Sequence, residues 1–162
     1  MDKSSTMGEK SEQEQRQTLK DSAFRLLARR EHSQFELRQK LAQRGWPKSW
    51  IVELVNWLAE EGWQSDERFA QSFVRDKLMQ RQGRLKIIAQ ATQQRGLDRE
   101  LLEQVLAQHE VDWRSQCREV HARKFGEQPP EDKKQWAKRV RYLQQRGFNS
   151  DEIFAVLGEL ER

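Results

Sequence analysis

Gln43-Arg44-Gly45-Trp46, Gln94-Arg95-Gly96-Leu97 and Gln145-Arg146-Gly147-Phe148 are three copies of one phrase, Gln-Arg-Gly followed by an apolar residue. From Gly45 to Gly96 and from Gly96 to Gly147 the interval is the same 51 residues. The register persists downstream: Ile51, Leu102 and Ile153 align, then Leu54, Val105 and Val156, then Val55, Leu106 and Leu157. A shared tripeptide with four apolar columns at one period marks a threefold internal repeat. A glycine just past a helix takes the left-handed conformation that ends it, and the apolar residue after it folds back on the last turn. A new helix then begins. Asp98 and Asn149 hold the N-cap position, and Pro47 occupies it in the first copy. Asn149-Ser150-Asp151-Glu152 has the spacing of a capping box.

Working outward from the three anchors, the helical period predicts Gln17–Arg30, Gln34–Arg44, Lys48–Glu61, Asp66–Gln80, Arg84–Arg95, Arg99–His109, Asp112–Phe125 and Glu131–Gln145, with a last helix after Asn149. Gly62, Gly83 and the Gly126–Pro130 stretch separate them, and Ser33-Gln34-Phe35-Glu36 is a second capping box. The expected fold is all-α: about nine helices in a tandem array of three three-helix repeats, elongated and curved. Expected boundaries are 17–62, 63–110 and 111–162, after a disordered tail over 1–16. Trp57, Phe69, Phe73 and Trp136 read as core residues; Trp46, Trp50 and Trp63 read as bulky anchors for units too small to fill a core otherwise.

Composition agrees with a thin body. Of 162 residues, 35% are hydrophobic and 35% charged, and the mean hydropathy is −1.05. One large spherical core would need more apolar side chains. The six Trp and seven Phe nevertheless exclude general disorder. The single Cys117 excludes an internal disulfide and suits a reducing cytoplasm. No run reaches the ~18 apolar residues of a membrane helix.

The net charge of +4 is unevenly placed. Between Arg75 and Arg99 seven basic residues (Arg75, Lys77, Arg81, Arg84, Lys86, Arg95, Arg99) face only Asp76 and Asp98. Between Lys133 and Arg146 there are Lys133, Lys134, Lys138, Arg139, Arg141 and Arg146, with no acid. The helix after each Gln-Arg-Gly is acid-rich instead. The macrodipole alone favours some of this. The sharper reading is a basic stripe of Arg75, Lys77, Arg81, Arg84, Lys86, Arg95, Lys133, Lys134, Lys138, Arg139 and Arg141 that meets phosphates or an acidic protein wall. Gly45, Gly96 and Gly147 are assigned as structural helix caps.

No chemistry of catalysis is legible. The glycines are isolated punctuation and not a phosphate loop. His109, Cys117 and His121 are too few and too scattered for a metal site. No nucleophile–base pair stands out, and the expectation is a binding protein with no catalytic residue, metal or cofactor.

Three stretches resemble the RecX family of regulatory proteins. Arg30 to Leu41 (REHSQFELRQKL) resembles its R-x-H-S-x-x-E-L-x-x-K-L opening. Gly62 to Ala70 (GWQSDERFA) resembles its G-hydrophobic-x-D-D-x-R-F-A segment. Val111-Asp112-Trp113, Arg123-Lys124-Phe125-Gly126 and the Leu143–Ile153 stretch resemble its third unit. The resemblance covers roughly residues 17 to 160. It implies tandem three-helix repeats and a modulator that lodges in the RecA–DNA filament; the chain itself is expected to be cytoplasmic and a monomer. Such a modulator suppresses filament extension, ATPase and strand exchange, and so tunes recombination, DNA repair and the SOS response. It also implies weaker, non-specific contact with single- and double-stranded DNA. The chain departs from the pattern at Gln82-Gly83-Arg84-Leu85-Lys86-Ile87-Ile88, where the family often has G-x-G-P-x-R-I, so the turn before that helix is expected to differ. The competing expectation, from the basic runs alone, is a stand-alone DNA-binding repeat protein without sequence preference.

Overall fold

The computed structural model describes residues 3–158, with side chains from residue 11. Among the described residues there are nine α-helices and no strand: α1 (Lys3–Arg29), α2 (Gln34–Gln43), α3 (Lys48–Glu60), α4 (Asp66–Met79), α5 (Arg84–Ala89), α6 (Arg99–Gln108), α7 (Trp113–Phe125), α8 (Lys133–Gln145) and α9 (Ser150–Leu157). They fall three to a repeat. The fold is an all-α array of three-helix repeats. The chain divides into two compact units, Met1–Phe69 and Ala70–Arg162.

Local chemistry sets the ends of these helices. Ser33 and Asn149 each close a capping box, with Glu36 and Glu152 respectively. Asp98, Asp112 and Asp132 accept from backbone N–H groups in the first turns of α6, α7 and α8. Gly45, Gly96 and Gly147 have φ of +86°, +65° and +100°. After α8 the Phe148 N–H donates to the Leu143 carbonyl at 3.1 Å and the Gly147 N–H to Gln144 at 3.0 Å, which is the Schellman closure.

In the first unit, Leu19 and Ala23 of α1, Leu37 and Leu41 of α2, and Ile51, Val55 and Leu58 of α3 form one buried cluster. Trp46, Trp50 and Trp57 pack on its edge. In the second unit Ile87, Ala91, Leu102 and Val105 are buried, along with Phe73 and Val74 of α4. Cys117, Val120, Leu143, Phe148 and Ile153 form the core of the third repeat. Trp136 is half-buried, stacked on Phe154 at 6.0 Å.

Three expectations are corrected. The disordered tail is not found from Lys3 onward, because α1 begins there. Its last residue docks on α3: the Arg16 guanidinium lies 4.2 Å over the Trp50 ring and 3.6 Å from Glu53. Met1 and Asp2 lie outside the described residues. Trp63 is 57% exposed and touches Phe24 edge-on. Its neighbour Gln64 is the buried one, donating to the His32 carbonyl at 3.1 Å and to Asp66 at 2.9 Å. The helix expected over Arg84–Arg95 is not regular to its end. A π turn at Gln90–Gln94 follows α5, with the Arg95 N–H bonded to the Gln90 carbonyl at 3.2 Å. The Thr92 hydroxyl donates to the Ile88 carbonyl at 2.8 Å and competes there with the regular helical N–H.

Candidate functional site

The candidate basic residues all lie in the second unit, and the fold sorts them into different environments. On α8, Lys134, Lys138 and Arg141 are spaced i, i+4, i+7 and exposed, so they share one outward face, with Lys133 exposed beside it. Arg75 is exposed on α4, and Lys77 is half-buried with its ammonium 5.3 Å over the Phe73 ring. Arg81 pairs with Glu119 at 3.1 Å and Arg84 with Glu103 at 2.8 Å. Lys86 is half-buried on α5, and Arg95 lies 6.0 Å over the Phe73 ring from the end of the π turn.

Arg139 is a correction: it is not on the surface. It is 9% exposed, donates to the Gln128 carbonyl at 2.7 Å and to His121 Nε2 at 3.2 Å, and lies 5.1 Å over the Phe125 ring. It braces the Gly126–Pro130 loop. The helical period hides this, because Arg139 sits on the flank of α8 that turns toward α7, away from the 134/138/141 face.

The two basic runs meet at one point. The Gly83 N–H donates to the Arg146 carbonyl at 2.7 Å and the Leu85 N–H to the Gly147 carbonyl at 3.1 Å. The Arg146 side chain donates to the Gln80 carbonyl. A Cβ at Gly83 would lie 2.3 Å from the Gly147 carbonyl carbon, and one at Gly147 would lie 2.5 Å from Lys86 Cβ. The two backbones therefore touch with no room for a side chain. Two N–H groups at the start of α5 thus find partners in two carbonyls at the end of α8. Gly83 is the residue on which the joint depends. Lys133 and Lys134 stand at the far end of α8, ~18 Å from the joint at 1.5 Å per residue.

Around the joint the fold also gathers Arg123 and Lys124 of α7 and Arg146, beside Arg81. Arg123 and Lys124 carry no charge signal in the sequence, because they sit as an isolated pair in a mixed helix. Arg146 belongs to the recurring tripeptide, and that recurrence was the available signal. In the first copy Arg44 reaches the Ser22 hydroxyl of its own repeat, whereas Arg146 reaches back into the preceding one.

Two buried histidines are held neutral. His32 Nε2 lies 2.9 Å from Lys40 Nζ, while its Nδ1 lies 3.0 Å from the Arg30 carbonyl. Lysine and arginine can only donate, so Nε2 accepts in both histidines and the ring proton sits on Nδ1. Burial depresses the pKa of His32, only partly opposed by the Arg30 carbonyl; burial and then Arg139 depress that of His121. Burial, with the Glu152 carboxylate, pushes the Cys117 thiol up to about 12, so it is an inert core residue. Among the described residues no group of three or more His, Cys, Asp or Glu could hold a metal ion, and no helix is long and apolar enough to cross a membrane.

Three family models match the chain in tandem: the first three-helix domain of RecX over residues 20–64, the second over 65–106 and the third over 110–157. The regulatory protein RecX of Halorhodospira halophila is 42% identical over 140 residues, 86% of each chain. That of Pseudomonas entomophila is 42% identical over 136 residues, covering 84% of this chain and 87% of its own length. Among solved structures, RecX from Lactobacillus salivarius superposes with a TM-score of 0.71 over 87% of this chain and 93% of that one, at 19% identity. A second regulatory protein RecX reaches a TM-score of 0.78 over 98% of this chain and 80% of that one, at 18% identity. At those identities the structures share the fold.

Proposed function

The chain belongs to the RecX family of regulatory proteins, and from that premise we propose that it is a non-enzymatic modulator that binds the RecA–DNA filament and restrains it. The observation that carries this reading is the match of all three repeats, in order, to a family of regulatory proteins. The exposed Lys134, Lys138 and Arg141 face on α8 supports an acidic or phosphate-bearing counterpart. On this reading the protein acts as a cytoplasmic monomer without cofactor, limits filament extension, ATP hydrolysis and strand exchange, and touches single- and double-stranded DNA more weakly.

The test is ATP hydrolysis by RecA on single-stranded DNA while this protein is titrated, at two salt concentrations. Inhibition at substoichiometric amounts is expected. Unchanged hydrolysis at excess overturns the reading. If that failure comes with tight, steeply salt-dependent binding to bare DNA, a stand-alone DNA-binding repeat protein takes its place.

A further inference from the structure

The backbone joint between the α4–α5 turn and the α8–α9 turn leaves an open pocket of about 230 Å³ beside it. Arg81, Arg123, Lys124 and Arg146 line it, with Tyr142 among them. Four cations from three separate elements thus face one small space. One carboxylate accompanies them: Glu119 Oε1 lies 3.1 Å from Arg81 Nε and 3.4 Å from Arg123 Nε. Lys124 Nζ lies 5.5 Å from the centre of the Tyr142 ring.

Two observations separate this cluster from an ordinary solvated basic face. Arg81 is left-handed, with φ of +59°. Its N–H bonds the Leu78 carbonyl at 3.0 Å and the Gln82 N–H bonds Lys77 at 3.1 Å, so Arg81 holds the helix-ending position that glycine suits best. An arginine there works against the backbone. Arg146 Nε is a buried donor with no acceptor among the described residues, although its Nη2 donates to the Gln80 carbonyl. A buried donor of this kind is costly, and the guanidinium must turn before that N–H meets an acceptor in the pocket.

We propose that this pocket is an oxyanion site that takes a phosphate group. The guanidinium groups of Arg81, Arg123 and Arg146 and the Lys124 ammonium supply the donors, and Tyr142 forms one wall. Guanidinium forks suit tetrahedral oxyanions because two N–H groups meet two oxygens at once. Glu119 is the internal anion that holds Arg81 and Arg123 in position and gives way as phosphate enters. A free phosphate and the phosphodiester of a nucleic acid present the same non-bridging oxygens, and either fits this donor set. Occupation by free phosphate is independent of the proposed function, occupation by a nucleic-acid backbone would locate its DNA contact, and neither needs the recombinase.

The experiment is two-dimensional NMR of the arginine Nε–H groups of the full chain. It is titrated with inorganic phosphate, with the dinucleotide thymidylyl-thymidine, and with sodium chloride at matched ionic strength. The Arg81 and Arg146 resonances are expected to move with phosphate and not with chloride. Movement with inorganic phosphate alone assigns the site to free phosphate; movement with the dinucleotide assigns it to a nucleic-acid backbone. Arg81→Gly is expected to keep its melting temperature, since glycine suits the left-handed position, yet to lose about tenfold in phosphate affinity. Glu119→Gln is expected to raise that affinity, a direction that damage to the fold cannot produce. Equal movement with chloride, or Arg81→Gly binding phosphate as the parent does, overturns the proposal.

Discussion

His32 and His121 are buried in different repeats and solved the same way: each ring accepts from a cation that cannot accept in return. Both have pKa values below the ordinary 6.5. As the pH falls through 6.5 the unfolded chain takes up protons that the folded one refuses. The stability they contribute is therefore complete above that value and is lost as pH falls toward their folded pKa values. Thermal melts by circular dichroism at about pH 7.5 and about pH 5.5 should show a lower transition at the acid value. Replacing both histidines by glutamine should remove most of that difference; a dependence left intact would place its origin elsewhere. At Gly96 the φ of +65° makes a β-branched side chain costly. Gly96→Val should lower stability by about 1–2 kcal/mol in urea denaturation, and an unchanged midpoint would mean the turn tolerates another conformation.

Between elements, the informative contrast is between two glycines. Gly45 has a φ of +86° and open space where a Cβ would go. Gly83 is not left-handed, yet its Cβ would strike the Gly147 backbone at 2.3 Å. Gly45→Ala should cost about 1 kcal/mol through backbone conformation alone. Gly83→Ala should cost about 1–3 kcal/mol, because the turns at both ends of the joint must separate or shift. Amide hydrogen exchange would tell the two apart: Gly83→Ala should lose protection at Leu85 and around Arg146, while Gly45→Ala should leave those amides untouched. The π turn at Gln90–Gln94 belongs to this scale too. It carries the chain from α5 to the Gly96 turn, with the Arg95 N–H reaching one residue further back than in an α-helix.

For the whole molecule, the question is whether charge acts through the surface or through the fold. Lys134, Lys138 and Arg141 are exposed, whereas Arg139 on the same helix is buried and hydrogen-bonded. Reversing the three exposed residues to glutamate should leave the melting temperature within a degree or two, since surface changes of this kind move stability little. On the proposed function it should also abolish inhibition of ATP hydrolysis by RecA. Inhibition that survives the reversal would remove this face from the proposed interface. Arg139→Ala should do the opposite: a loss of about 2–4 kcal/mol in stability, because the His121 acceptor and the Gln128 carbonyl lose their donor.

The sequence by itself determined the all-α class, the threefold period, and the caps at Ser33, Asp98 and Asn149. The class and the caps depend on residues within a few positions of one another, decided by local hydrogen bonding and helical period, and the repeat is legible because the same pattern returns at a constant interval. It did not reveal that Arg139 is buried, that Trp63 is exposed while Gln64 is not, or that α1 extends to Lys3. Arg139 depends on which flank of α8 meets α7, and Trp63 and Gln64 on how the α3–α4 turn packs against His32 and Phe24. The meeting of Gly83 with Gly147, and of Arg81 with Arg123, Lys124 and Arg146, was beyond the sequence for the same reason. Residues 64 positions apart in the chain become neighbours only through the packing of one repeat on the next, and composition and spacing carry no record of that distance.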